Sequence, residues 1–392
     1  MSEKLYWLWL ATRPNCGIKR RHALLELFGS PEAIWHATRE QLAQARFLKN
    51  MQLNALMEKD LTYAKRIAAD CERLDIRIVT LADNTYPQTL QDIPDAPLVL
   101  YVRGTLPDFA NQLAISIVGT RKATPYGLHA ARYFAGTLAQ KDCIVVSGMA
   151  LGIDGAANRA ALEAGKTTVA VLGCGVDVCY PWTHTELMQE IIKYGAVISE
   201  YPPGTQPKAY HFPERNRIIT GLSQGTLIIE APKKSGALIS ADLALEQGRD
   251  VFAIPADINR PNSAGGNALI RQGAAELVQT PMDILSHYEQ RSEHESITPT
   301  VIPWEFESQQ KVAATIPHTI QIQQDEKRIL QGSQQEKIVW CAIRDGQYTV
   351  DAIVEHTGLI ASDVLTALTM LEIGAYVMRM QDGYRIADDV RD

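Results

Sequence analysis

Residues 198–240 read ISEYPPGTQPKAYHFPERNRIITGLSQGTLIIEAPKKSGALIS. An apolar strand runs into a Pro/Gly loop, and that loop carries Tyr210, His211 and Phe212 beside Arg215 and Arg217. A helix follows, then a second apolar strand over Thr226–Glu230, then a Lys233-Lys234-Ser235-Gly236 turn into another helix. A positively charged helix entrance facing a loop of cations and aromatics suits a phosphate backbone with exposed bases. It suits a small apolar metabolite poorly. A structural loop capped by two arginines is the alternative that these residues alone leave open.

Outward from this stretch the same unit repeats: a β-branched run, a Gly-containing turn, a helix. The expected strands are 114–118, 143–147, 168–172, 196–199, 226–230 and 251–254, with helices such as 127–140, 153–164 and 237–247 between them. Strands alternating with helices predict an α/β fold, an extended Rossmann-like parallel sheet. Ligands bind such sheets outside the carboxyl ends of the strands. Gly119-Thr120-Arg121 leaves the first strand at that edge, where successive N–H groups and a guanidinium can converge on one phosphate. Ser147-Gly148-Met149, Gly173-Cys174-Gly175 and the Lys233–Gly236 turn leave other strands at the same edge.

Dinucleotide and nucleoside-triphosphate motifs are absent. Gly148, Gly152 and Gly155 are spaced GxxxGxxG, which is not GxGxxG, and no GxxxxGK[ST] occurs. His211 and Glu214 form an HxxE interrupted by Pro213, so a helical metal face is not expected and no metal or cofactor is assigned. Asp154, Asp177 and Glu230 fall near the crevice without a nucleophile or base beside them and read as caps or ion-pair partners. No catalytic constellation emerges.

The chain has 392 residues, 46% hydrophobic and 21% charged, which predicts a soluble protein of two or three domains. No apolar run reaches membrane-spanning length and the N-terminus lacks signal-peptide form, so a cytoplasmic protein with six reduced cysteines is expected. The net charge of −7 is unevenly placed. Residues 1–110 and 111–280 each carry +1, whereas 281–392 hold nine Lys/Arg against 18 Asp/Glu. A basic groove in the middle region is compatible with that distribution.

Four segments are expected: an N-terminal helical domain (1–80), the Rossmann-like domain (81–284), a polar linker (285–325) and a winged helix (326–392). In the first, Pro14–Gly17 followed by Leu24, Leu25, Phe28 and Gly29 has the form of a helix-hairpin-helix half, with Lys19, Arg20 and Arg21 just after the turn. A capped helical bundle fits those residues equally. In the last, helices over 334–344, 350–356 and 362–373 precede a hairpin turned at Asp382-Gly383. Its third helix has no Lys or Arg and carries Asp363 and Glu372.

The segments SIVGTRKATPYG, VVSGMALGIDGAA, AVLGCGVDVCYP, HFPERNRIITGLS, KSGALISADLALEQGRDVFAIP and SAGGNALIRQGA stand in order over roughly residues 80–280. Together they resemble the DNA-processing protein A (DprA/Smf) family. The resemblance implies a non-enzymatic protein that binds single-stranded DNA, loads RecA recombinase in natural transformation and recombination, and acts as a homodimer. It implies phosphate contacts at Arg121 and Lys234, with backbone donors from Gly119, Gly148, Ser235 and Gly236. Phe212 would meet bases, Arg215, Asn216 and Arg217 would shape the loop, and Thr120 and Lys233 complete the set. Three positions depart from the family pattern: Leu151 stands where arginine is usual, Asn158 where histidine is, and Ala256 where glycine is. A nucleotide-processing enzyme of the phosphoribohydrolase type is the competing reading. Its Gly-Gly-x-Gly-Thr-x-x-Glu motif is matched poorly here, because Gly225-Thr226 lacks the preceding glycines and Glu230 falls one residue late.

Overall fold

The computed structural model describes residues 2–295, 334–346, 348–373, 377–380 and 383–386. Its centre is strand β3 (Ala114–Val118), which follows β1 (Arg77–Thr80) and β2 (Val99–Gly104) in the chain. All five residues of β3 are buried, as expected of a continuous apolar run with both faces covered. Ile115 and Ile117 point to one face, Ala114 and Val118 to the other. The chain then lays down β4 (Ile144–Ser147), β5 (Thr168–Val171) and β6 (Ala196–Ser199) on one side of β3. It next crosses to the other side for β7 (Gly225–Ile228), β8 (Asp250–Ala253) and β9 (Glu276–Leu277). The sheet order is β1-β2-β6-β5-β4-β3-β7-β8-β9, parallel from β6 to β9. The direction of winding reverses between β3 and β7, the place where such sheets open a crevice for ligands.

The six strands expected from sequence all form, within two residues at each end. Sequence missed β1, β2 and the two-residue β9; β1 pairs antiparallel with β2, and β2 with β6, which widens the sheet. A sequence boundary at residue 80 therefore falls at the end of a sheet strand. Helices α1–α6 (Ser2–Ala11, Ile18–Phe28, Pro31–His36, Arg39–Ala43, Asn50–Met57 and Thr62–Arg73) precede β1. They share a core with the sheet through Trp9, Leu56, Tyr101, Ala170 and Val197. The basic cluster after the first turn is divided: Arg21 turns inward and donates to the Arg13 carbonyl at 2.9 Å, while Lys19 is exposed.

Helix α7 (Gln88–Gln91) and helix α8 (Pro125–Gln140) lie on opposite faces. Alpha-8 starts where its residues dictate, with Pro125 in the first turn and Thr124 accepting from the Gly127 N–H at 3.1 Å. It packs against α9 (Ile153–Glu163) through alanines 131, 135, 157 and 161, whose small side chains let the two backbones approach. Alpha-10 (Thr185–Tyr194), α11 (His211–Gly221), α12 (Gly236–Glu246), α13 (Ala264–Arg271) and α14 (Pro281–Glu295) complete this unit.

Two sequence expectations change here. The aromatic and cationic residues from His211 to Arg217 lie on helix α11, not in a loop. Pro213 is tolerated because its missing N–H falls in the first turn, where that donor has no partner in the helix. The linker expected from 285 begins instead as helix: Ile284 and Leu285 are buried against the sheet, and Tyr288 donates to Asp250 at 2.9 Å. The rest of that linker, from 296 to 325, lies outside the described residues.

The described residues beyond 300 form a second compact unit. Helices α15 (Gln334–Arg344), α16 (Val350–Thr357) and α17 (Ala361–Ile373) precede an antiparallel hairpin of β10 (Val377–Met380) and β11 (Gly383–Ile386). Trp340, Ile343, Ile353, Leu368 and Val377 form its core. These elements match the three helices and wing read from sequence. Asp382 of the expected turn lies outside the described residues.

Candidate nucleic-acid interface

At the β3–β7 reversal the sheet's carboxyl edge opens into a cleft of about 370 Å³. Four chain segments wall it, one of them the stretch after β4 with Ala150 and Asp154. Gly119, Thr120 and Arg121 come from the end of β3; Phe212, Arg215 and Asn216 come from α11; Lys234, Ser235 and Gly236 come from the entrance of α12. Alpha-11 presents Phe212, Arg215, Asn216 and Ile219 to this cleft, the i, i+3, i+4, i+7 face of a helix.

The side chains divide by exposure. Arg121, Lys233 and Lys234 are exposed, with Lys233 beside the cleft and not on its wall. Phe212 is half-buried, and its ring lies 5.0 Å from the Arg121 guanidinium carbon and 5.4 Å from the ring of Tyr180. A cation over the ring face is favourable in itself, and it sets charge and aromatic surface side by side. Ser235 caps α12, accepting from the Ala237 N–H at 3.1 Å. The positive end of this 11-residue helix therefore opens on the cleft directly after two lysines. Asn216 ties the two helices together by donating to the Gly236 carbonyl at 3.3 Å.

Other candidates serve the frame. Arg215 is 3% exposed; it donates to the Gly148 carbonyl at 3.0 Å and to the Val171 carbonyl. It faces buried Asp154. Burial raises the Asp154 carboxyl above its ordinary range, opposed by Arg215, and burial lowers the Arg215 guanidinium, opposed by Asp154. Gly148 is buried beneath this pair: a methyl group there would come within 2.6 Å of both Arg215 and Asp154. Arg217 points to the opposite side of α11, where it meets Glu200 at 2.6 Å and Asp95 at 3.4 Å. Burial pushes the Glu200 carboxyl up, with Arg217 pulling against it. Gly148, Arg215 and Arg217 thus hold the cleft's shape through buried contacts.

The turn after β3 also differs from expectation. The Thr120 N–H is spent on the Glu230 carbonyl at 2.8 Å, so successive free donors do not line up there. The Thr120 and Arg121 carbonyls abut Gly152, whose φ of +78° and missing Cβ permit the approach.

The crevice acids act as caps and partners. Glu230 accepts from the Thr124 N–H at 2.9 Å and the Thr124 hydroxyl at 2.5 Å, and Asp177 accepts from the Gly204 N–H at 2.9 Å. His211 and Glu214 have separate partners, the Gly173 carbonyl at 3.0 Å and the Tyr201 hydroxyl at 3.0 Å. Among the described residues no group of three His, Cys, Asp or Glu side chains could hold a metal. All six cysteines are free, and burial raises the thiols of Cys143 and Cys174 to about 11. Sequence reasoning overlooked Tyr180. Its signal was the Tyr-Pro pair in the loop that leaves β5 at the ligand edge.

A doubly wound sheet with a cationic, aromatic-lined cleft at its switch point defines a Rossmann-like α/β protein, and comparison with known proteins narrows the class. Residues 77–289 match the family described as DNA recombination-mediator protein A, and residues 323–383 match the DprA winged helix domain. The chain belongs to the DNA recombination-mediator protein A family. It is similar to Protein Smf of Escherichia coli, at 35% identity over 76% of this chain and 74% of that protein. It is also similar to DNA processing protein DprA of Bacillus subtilis, at 36% identity over 65% of this chain and 84% of that protein. The solved structure of DprA from Streptococcus pneumoniae superposes with a TM-score of 0.63 at 33% identity, covering 73% of this chain and 97% of that one. DNA processing protein A from Helicobacter pylori, described for its single-stranded DNA binding mode, gives 0.50 at 31% identity, covering 55% and 97%.

Proposed function

We propose that the switch-point cleft binds single-stranded DNA without sequence preference, and that the protein acts by binding and not by catalysis. One observation carries this reading: exposed Arg121 and Lys234, the N-terminus of α12 and the half-buried Phe212 ring converge on one cleft. Cations and helix-end N–H groups suit phosphates, and an accessible ring suits an unpaired base, which a duplex keeps stacked on its neighbours. The Helicobacter relative, described for binding single strands, supports the same ligand. Arg121, Lys233 and Lys234 supply charge, Ser235 and Gly236 the helix entrance, and Phe212 the stacking surface. Gly119, Thr120, Gly148, Arg215, Asn216 and Arg217 position them.

Loading of RecA recombinase onto incoming DNA in transformation and recombination, by a homodimer, extends this reading on family resemblance. No helix among the described residues is long and apolar enough to cross a membrane, which is compatible with a cytoplasmic site of action. The phosphoribohydrolase alternative needs an available carboxylate near Glu230, and both oxygens of Glu230 are engaged by Thr124. The test is fluorescence anisotropy with single- and double-stranded oligonucleotides, beside incubation with a nucleoside monophosphate. Preference for the single strand with no free base is expected. Equal affinity for the duplex, or release of base, overturns the proposal.

A further inference from the structure

Beside the cleft lies an apolar ledge to which nothing above gives a role. The chain leaving β5 reaches Tyr180 and then Trp182, which opens a short 3₁₀ turn (Trp182–His184). The indole is 80% exposed and Tyr180 is 41% exposed. Their backbone is nevertheless fixed. His184 Nδ1 lies 3.0 Å from the Met149 carbonyl, and the Thr185 hydroxyl donates to the Trp182 carbonyl at 2.6 Å. His184 also seats on α9, where a methyl group on Gly155 would approach its ring to 2.5 Å.

The ledge meets the cleft at Tyr180, whose ring centroid lies 5.4 Å from that of Phe212 on the cleft wall. An indole in water on a rigid turn is surface held ready for a flat partner. A strand whose phosphates occupy the cleft would carry its next unpaired bases across this surface, because aromatic side chains stack on any base.

We propose that Trp182, with Tyr180, is a second base-stacking surface that extends the single-strand track beyond Phe212. This rests on the single-stranded DNA reading of the cleft. Stacking requires a base, whereas phosphate attraction does not, so the experiment separates the two. Full-length protein is titrated by anisotropy with an oligothymidylate and with an abasic strand of equal length, as wild type, Trp182→Ala and Trp182→Phe.

Trp182→Ala is expected to weaken oligothymidylate binding about fivefold or more. Trp182→Phe should restore most of it, and all three proteins should bind the abasic strand alike. The emission missing from Trp182→Phe should be the part that oligothymidylate quenches in wild type, a reading that needs no truncated side chain. If Trp182→Ala stays within twofold of wild type while an Arg121→Ala, Lys234→Ala double variant loses binding, the ledge proposal fails and the cleft stands. Loss of self-association by Trp182→Ala without loss of affinity would assign the ledge to a second copy of the chain and also overturn it. If wild type binds no single strand, both proposals fall together.

Discussion

Arg121 and Arg217 share a side chain and differ in everything that surrounds it. Arg121 is exposed at the cleft mouth, so Arg121→Ala with Lys234→Ala should leave the fold intact and weaken single-strand binding. Each phosphate that is no longer neutralised should lower the slope of log affinity against log salt by about 0.7, measured by titration at several salt concentrations. An unchanged slope would remove both residues from the interface. Phe212→Ala should cost roughly 1–3 kcal/mol of binding if one base stacks there.

Arg217→Ala acts instead on stability, because it leaves the partly buried Glu200, 18% exposed, without its guanidinium; a fully buried pair would cost about 3–5 kcal/mol to break, and this one less. The pH dependence has a definite sign. The folded-state pKa of Glu200 is raised above its ordinary 4.5, and removing Arg217 raises it further. Below that ordinary value the carboxyl is neutral folded and unfolded, and no penalty applies. The penalty grows as pH rises through the folded-state value. Urea unfolding should therefore show the variant's deficit narrowing toward pH 4 and widening toward pH 8.

Helix α11 is where element and site meet. One face carries Phe212, Arg215 and Asn216 to the cleft while Arg217 anchors the other, so the helix acts as a rigid bracket across the switch point. Alpha-12 contributes its entrance, and Ser235→Ala should cost about 1 kcal/mol of stability through removal of the cap, read in a thermal melt. Alpha-14 has a structural consequence that a linker would lack. Ending the chain at residue 280 removes Ile284, Leu285 and the Tyr288–Asp250 hydrogen bond, whereas ending it after 295 keeps them. The shorter form should unfold at lower urea than the longer one, and equal midpoints would show that α14 contributes nothing.

For the whole molecule, charge separates the two units. The second unit, residues 301–392, holds eight Lys/Arg against 14 Asp/Glu, a net −6. Its third helix, α17, has the place of a recognition helix but no Lys or Arg with which to enter a major groove. Arg385 of the wing lies over the Tyr348 ring, 3.5 Å from its centroid. Removing residues after 295 should therefore leave single-strand affinity unchanged or slightly higher, since a repulsive charge is taken away. A tenfold loss, about 1.4 kcal/mol, with the core still folded would assign DNA contact to the winged helix. Sedimentation at micromolar concentration tests the homodimer, which should raise avidity by placing two clefts on one strand. A monomer with and without DNA would count against it.

Much of this architecture was written locally. Beta-3, β6 and their neighbours are legible because a strand buried on both faces must be an unbroken apolar run. The helices between them follow from caps and periodicity, so the doubly wound class and its ligand edge could be read from the chain alone. The winged unit was legible for the same reason. Strand β1 was not, since a short edge element is decided by the neighbour it pairs with and not by its own pattern; β2, an interior strand buried over Val99–Val102, carries the same apolar signal as β3 but stands apart from the strand–helix repeat. Nor could sequence sort the cations. A guanidinium satisfies a phosphate in solvent or a buried carbonyl equally well. Whether Arg215 reaches Val171 and Arg217 reaches Glu200 and Asp95 depends on which face of α11 packs on the sheet. That choice belongs to tertiary structure, because the groups that settle it are distant in the chain and meet only once the sheet has formed.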